Sequence, residues 1–370
     1  MKKVLLLALI LALVSMSFIG CGNEAVADEE NEENGEALEG EDEQDEDEEI
    51  TESSVAFVGL GQSISIGRSK GMSGDETPQA QADVTMAAVG FDEDGTIVTV
   101  SIDVAQTRVA FDEDMQVTSD LDALVPTKKD LGDDYGMARV SEIEKEWYEQ
   151  IQALEEWMIG KTVEEVMNLE VKVVDDSHQN VPDVAELESS VTITVESYLA
   201  AVEEAWNNAE AAEGAVTVGL GVKTQINRSR SASDEETAQA QVDTYMSATA
   251  FGADGNVVTT IIDTAQVRVA YDEEGQTASD LSAEIQTKKE LGADYGMARV
   301  SAIEKEWYEQ VEALEEWMAG QSLEDIMNLS VKVVDDSHQN VPDVAELESS
   351  VTITVEGYLA VVEIASEKAK

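Results

Sequence analysis

The chain is written twice. Shifted by 160 residues it matches itself without a gap. Gly59-Leu60-Gly61 falls on Gly219-Leu220-Gly221, and residues 171–196 are identical to residues 331–356. A solenoid repeat runs about 20–50 residues, so this period is that of a domain. Two tandem copies are expected, repeat domain 1 over residues 54–209 and repeat domain 2 over residues 210–370. Because the copies are so alike, shared residues say little, whereas differences show what one copy can lack.

Each copy reads as α+β, a small antiparallel sheet or hairpin packed with amphipathic helices. Val98, Val100, Ile102 and Val104 alternate with Thr99, Ser101 and Asp103, the pattern of a strand with one buried face. Residues 79–91 alternate less cleanly, and Asp94-Gly95 between the two runs is a hairpin signal. Copy two keeps Asp254-Gly255 but puts Gly252 and Ala253 at Asp92 and Glu93, which argues against a calcium loop. Ser141-x-x-Glu144 reads as a capping box. It precedes Ile143, Trp147, Ile151, Leu154 and Trp157-Met158 at helical steps, with Gly160 as the terminator. Thr162-x-x-Glu165 opens a short helix through Met167, and a last amphipathic helix carries Tyr198, Leu199, Val202 and Trp206. Tryptophans at this spacing read as core.

The ends of the chain add an address. Lys2 and Lys3 precede an apolar run that closes on Phe18-Ile19-Gly20-Cys21, the only cysteine. The run is of signal-peptide type, and its end resembles the lipobox of bacterial lipoproteins, with Phe18 where Leu is usual. The resemblance implies a signal peptide over residues 1–21, lipidation of Cys21 and a membrane held by acyl chains. The chain would then sit on the extracytoplasmic face of the cell membrane. Residues 24–53 contain 17 Asp or Glu and no Lys or Arg. Such a stretch cannot bury enough surface to order itself, so residues 22–53 read as an acidic disordered tether.

Charge excludes some partners. With 80 Asp and Glu against 22 Lys and Arg, the formal charge is −58. Nucleic acid is an unsuitable partner, because phosphate binding needs clustered cations. The repeats alone carry −43 from 63 acids and 20 bases, so the acidity coats the folded part too. Such a halophilic-like surface suits high salt, where repulsion is screened within a few ångströms.

No nucleophile, base and orienting group stand together in the sequence, and the lone cysteine serves lipidation. The two histidines, His178 and His338, lie in Asp-Asp-Ser-His-Gln-Asn and read as a polar loop rather than a metal site. Gly59-x-Gly61 lacks the third glycine of a dinucleotide fingerprint, since Ile64 stands there. Two stretches remain. Glu186-Leu187-Glu188-Ser189-Ser190-Val191-Thr192 precedes the last helix, where hydroxyls either cap the helix or meet a phosphate. Arg108, Lys128, Lys129, Arg139 and Lys145 recur as Arg268, Lys288, Lys289, Arg299 and Lys305. Their roles are pairing with surplus carboxylates or cradling an anion. Thr-Lys-Lys at Lys128 and Lys129, and at Lys288 and Lys289, is the second candidate for a ligand wall.

The order of hairpin, helical middle, acidic residue, Ser-x-x-Thr and closing helix resembles the extracytoplasmic FMN-binding domains of bacterial electron-transfer lipoproteins. Their motif is Asp-x-x-Ser/Thr-Gly-Ala-Thr, and a flavin transferase esterifies FMN phosphate onto the final Thr. Glu186 stands for the Asp, Ser189 for the Ser/Thr, Ser190 for Gly, Val191 for Ala and Thr192 for the acceptor. Glu346, Ser349, Ser350, Val351 and Thr352 do so in copy two. The resemblance implies bound FMN, a flavin transferase and an extracytoplasmic redox partner, with the protein a redox carrier rather than a stand-alone catalyst. The alternative is a non-catalytic binding lipoprotein that has lost the flavin site, its two copies acting through avidity.

Overall fold

The computed structural model describes residues 55–370 apart from Ser177 and Ser337. The signal peptide, Cys21 and the tether lie outside the described residues. Copy one runs β1 (Val55–Ser65), β2 (Gln79–Phe91), β3 (Ile97–Ala110), α1 (Lys128–Leu131), α2 (Trp147–Met158), α3 (Val163–Met167), β4 (Val171–Lys172), β5 (Val181–Pro182) and α4 (Glu196–Asn207). Copy two repeats the order as β6 (Glu210–Gln225), β7 (Gln239–Gly252), β8 (Val257–Ala270), α5 (Lys288–Leu291), α6 (Trp307–Met318), α7 (Leu323–Met327), β9 (Val331–Lys332), β10 (Val341–Pro342) and α8 (Glu356–Lys368). The chain is α+β, with helices laid on an antiparallel sheet.

The long strands form one six-stranded sheet in the order β3-β2-β1-β6-β7-β8. β1 and β6 pair only around Val55–Ala215 and Val58–Glu210. The sheet folds at this seam, bringing β2 against β7 and β3 against β6. Val58, Leu60, Met86 and Phe111 of copy one thus share a core with Val218, Leu220, Met246 and Tyr271 of copy two. Phe111 and Tyr271, equivalent in the repeat, meet with ring centroids 5.1 Å apart. Helices α2 and α4 cover the outer face of the first half-sheet, and α6 and α8 that of the second.

Burial on both faces explains why residues 79–91 alternate poorly: β2 is apolar or tightly hydrogen-bonded on each side. It also corrects the one-faced reading of β3, because Ser101 and Asp103 are buried along with Val100, Ile102 and Val104. The Gly-x-Gly pairs have a packing role. A Cβ on Gly59 or Gly61 would collide with the carbonyls of Ala205 or Ala201 on α4, and one on Gly219 or Gly221 with Ala365 or Val361 on α8. Only hydrogen lets the closing helix lie this close to the strand.

Local signals fare unevenly. Thr162 caps α3 in a full capping box with Glu165. Ser141 does not start α2. Glu144 takes a left-handed φ of 52°, and the helix begins at Trp147, with Glu146 and Glu149 forming the reciprocal cap. The Glu146 carboxylate also accepts from the Met137 amide at 2.7 Å, tying the preceding loop to the helix start.

Candidate functional site

The second ligand wall becomes a built pocket. Thr127 caps α1, accepting from the Asp130 amide at 3.2 Å, while its own hydroxyl donates to buried Asp103 at 2.7 Å. Asp103 also accepts from the Lys129 amide at 3.1 Å. A carboxylate in strand β3 thereby pins the Thr-Lys-Lys turn to the sheet. Burial pushes the Asp103 carboxyl up, against the pull of Thr127 and Lys129, and pushes its equivalent Asp263 up to about 6.

The two lysines of the turn part company. Lys129 Nζ reaches Glu155 Oε1 at 2.6 Å, and Glu155 on α2 also accepts from the Ile102 amide of β3 at 2.7 Å. Lys289 repeats this with Glu315 at 2.7 Å. Lys129 and Lys289 are therefore structural ties between turn, helix and edge strand, and neither lines the pocket. Lys128 turns inward. It is only 9% exposed and Lys288 only 7%. Lys128 Nζ lies 5.0 Å from the Tyr135 ring centroid and 5.2 Å from that of Trp147. Lys288 sits 5.2 Å from Tyr295 and 5.1 Å from Trp307. Trp147 is fixed by an indole hydrogen bond to Tyr198 at 2.9 Å, so Trp147 and Trp307 belong to the core as their spacing predicts, whereas Trp157 and Trp317 are partly buried and Trp206 is exposed.

Among the described residues neither ammonium has a hydrogen bond or an ion pair within 4.0 Å. The rings offer cation–π attraction, but burial dominates and pushes each lysine down to about 8.

A polar belt on paired strands β2 and β3 completes the wall. Gln81 stands opposite Arg108 and Asp83 opposite Gln106. Asp83 accepts from Gln81 at 2.9 Å and from Gln106 at 3.0 Å. Arg108 Nε donates to Gln81 at 2.9 Å. In copy two Asp243 accepts from Gln241 and Gln266, each at 3.1 Å, and Arg268 Nε donates to Gln241 at 3.0 Å. The resulting cavities measure about 380 Å³ in copy one and about 470 Å³ in copy two. Arg108, Lys128, Gln106, Asp134, Tyr135 and Leu131 line the first. Their equivalents Arg268, Lys288, Gln266, Asp294, Tyr295 and Leu291 line the second.

The hydroxyl stretch lies elsewhere. Ser189 and Ser349 are exposed. Ser190 and Ser350 donate to the carbonyls of Leu187 and Leu347. Thr192 donates its amide at 2.9 Å and its hydroxyl at 3.3 Å to buried Gln150 Oε1, and Thr352 does the same with Gln310. None of them caps the closing helix, whose N-cap is Val195 or Val355 without a side-chain bond. The capping expectation is thus corrected, because the chain spends this threonine on holding the loop to α2.

Thr192 does line a cavity of about 440 Å³, separate from the lysine pocket. The ionisable groups around it are Glu142, Asp175, Glu188, Lys172 and His178. Lys172 is already paired with Asp183 at 2.7 Å, and the His178 ring lies 2.9 Å from Asp175. Carboxylates predominate there, and the one lysine is committed. These residues do not fit a phosphate ester on Thr192. Among the described residues no group of three or more His, Cys, Asp or Glu is placed to hold a metal ion.

What sequence reasoning missed are the partners of Lys128: the rings of Tyr135 and Trp147, and the belt of Gln81, Asp83 and Gln106. One signal was present, a charged Asp103 inside a valine-rich strand, since a carboxylate there must be paired.

Comparison with known proteins finds no matching family model, no matching curated protein and no matching solved structure.

Proposed function

We propose that this chain is a bacterial lipoprotein, anchored through Cys21 on the extracytoplasmic face of the membrane, that binds a small ligand twice. The acidic tether lifts two tandem copies of one binding module from the surface. One observation carries the reading: both copies form an equivalent pocket around a buried lysine that has no ion-pair partner among the described residues, although the repeats carry 63 acids. A side chain that costs this much to bury is retained where it meets a ligand. The cation, belt and rings of each pocket are read as a binding site for a small ligand. Two sites on one tethered body give avidity for a multivalent or surface-bound ligand.

The flavin-carrier reading is the second one. It is favoured by the order of elements that resembles FMN-binding domains and by the position of Thr192 beside a cavity. It is disfavoured by the carboxylates around that threonine. FMN, if bound, would supply the redox chemistry itself. This chain would contribute only Thr192 and Thr352 as attachment points.

Purification of the lipidated protein from its own membrane separates the readings. The binding reading predicts a colourless protein whose mass shows acylation at Cys21 and nothing on Thr192 or Thr352. It also predicts a small molecule that protects against heat with two equivalents per chain. A yellow protein carrying a flavin mass on either threonine would replace it with the redox reading.

A further inference from the structure

We propose that each lysine pocket takes the carboxylate of a small organic acid, held between the Lys128 ammonium and the Arg108 guanidinium, or between Lys288 and Arg268. This rests on the binding reading above and names its ligand class. The Lys128 ammonium is nine-tenths buried, lines the cavity and leaves its three donors without hydrogen-bond partners among the described residues. Arg108 has its Nε fixed on Gln81, which orients the planar group and leaves its terminal nitrogens for a forked contact with a carboxylate. Arg268 is held at Nε by Gln241 and also donates Nη2 to Gln266 at 2.9 Å, so it is oriented at two points and keeps fewer free donors.

A monoanion fits better than a phosphate. Asp83 and Asp103 act on Lys128 from the sheet, alongside Arg68 and Arg108, and Asp134 sits on the rim. A second negative charge would meet these carboxylates. Part of the remaining wall is apolar: Leu131, Pro126 and the Tyr135 ring in copy one, and Leu291, Met297, Val300 and the Tyr295 ring in copy two, where polar Gln286 takes the place of Pro126. An acid with an aromatic or aliphatic body matches both halves, and cavities of this size accept it.

The charges also set a pH dependence. A bound carboxylate favours the charged lysine, and that lysine titrates at about 8 in both copies. Binding therefore takes up a proton just above that pH, and affinity falls as pH rises through it.

The test is calorimetric titration of the full folded chain with 3-phenylpropionate, its neutral amide and inorganic phosphate at constant ionic strength. The proposal expects two sites for the acid, at least tenfold weaker binding of the amide, and no saturation by phosphate. Lys128→Gln should remove one site and Lys288→Gln the other. If either variant fails to fold, Arg108→Gln and Arg268→Gln, at exposed positions, should each weaken one site at least tenfold. Equal binding of acid and amide, or two sites surviving in these variants, overturns the carboxylate assignment while leaving two-site binding intact. Failure of the acid to saturate overturns it too. If the heat-protection assay then also finds no ligand bound twice, the binding reading falls with it.

Discussion

The two copies solve one packing problem with different chemistry. On the helix-covered face of the sheet, copy one uses Ala87, Val89 and Val100, where copy two uses Ser247, Thr249 and Thr260. The hydroxyls survive burial because they pair: Thr249 lies 2.8 Å from Thr260, and Ser247 donates to the Val361 carbonyl at 3.0 Å. A fully paired polar patch can replace an apolar one at little net cost. These differences are filler on the helix-covered face, whereas the lysine with its two rings and the Gln–Asp–Arg belt recur in both copies, with Gln286 at the rim where copy one has Pro126.

Where both copies agree, damage should be largest and equal. Gly61→Val and Gly221→Val would drive a side chain into the backbone of α4 or α8. Each should cost about 4 kcal/mol or more, in the range of severe core overpacking. Chemical denaturation of the two variants checks this, and one variant being mild would show that the two helix crossings are not equivalent.

Where the copies differ, effects should be one-sided. Trp206 of copy one packs edge-on against Phe91 at 4.8 Å between ring centroids, whereas Ser366 stands there in copy two. Trp206→Ser should cost about 2 kcal/mol, less than a fully buried tryptophan because 39% of it is exposed. The melting temperature reads this out.

A charge difference follows the seam. Lys370 of copy two reaches Glu155 of copy one at 3.2 Å. The equivalent residue for Glu315 is Glu210, an acid beside an acid. Burial pushes Glu315 up to about 7, with Lys289 opposing and Glu210 adding to it. A carboxyl raised on folding binds more protons folded than unfolded. Its contribution to stability is therefore present at low pH and is lost as pH rises from about 4.5 to about 7. Glu210→Lys should flatten that slope and raise stability at neutral pH by about 1 kcal/mol, measured as denaturation midpoints across the window.

The smallest effects come from swapping solutions between copies. Among the described residues the buried hydroxyls of Thr107 and Tyr271 lack hydrogen-bond partners, and the other copy places Val267 and Phe111 at those positions. Thr107→Val and Tyr271→Phe should each stabilise by roughly 0.5–1 kcal/mol, since an unpaired buried hydroxyl costs more than the methyl or hydrogen replacing it. Loss of stability in both would show that the hydroxyls have partners after all.

Much of this architecture was legible in the residues. The hairpin at Asp94-Gly95, the α3 capping box and the burial of Trp147 and Trp307 all follow from local chemistry. The start of α2 did not, because Glu146 caps it through a carboxylate while Ser141 lies in the turn before it. The seam was invisible, since Val58 and Val218 look like any half-buried strand residues until the sheet folds on itself. The candidate site was half legible. Lys128 was singled out together with Lys129, but only the fold shows that one is a tie to Glu155 and the other a free ammonium under two rings. Thr192 was singled out as an attachment point, and its bond to Gln150, 42 residues away, could not be read from spacing.

The chain presents the same buried ammonium twice, unpaired among the described residues. Nuclear magnetic resonance titration of the lysine side chains tests it most directly, with Lys128→Gln and Lys288→Gln assigning the signals. Two lysines should titrate together near pH 8, and both should move upward when 3-phenylpropionate is added. If Lys128 and Lys288 instead titrate in the ordinary lysine range near 10.4 and ignore the acid, the pockets are not built as described and the account fails.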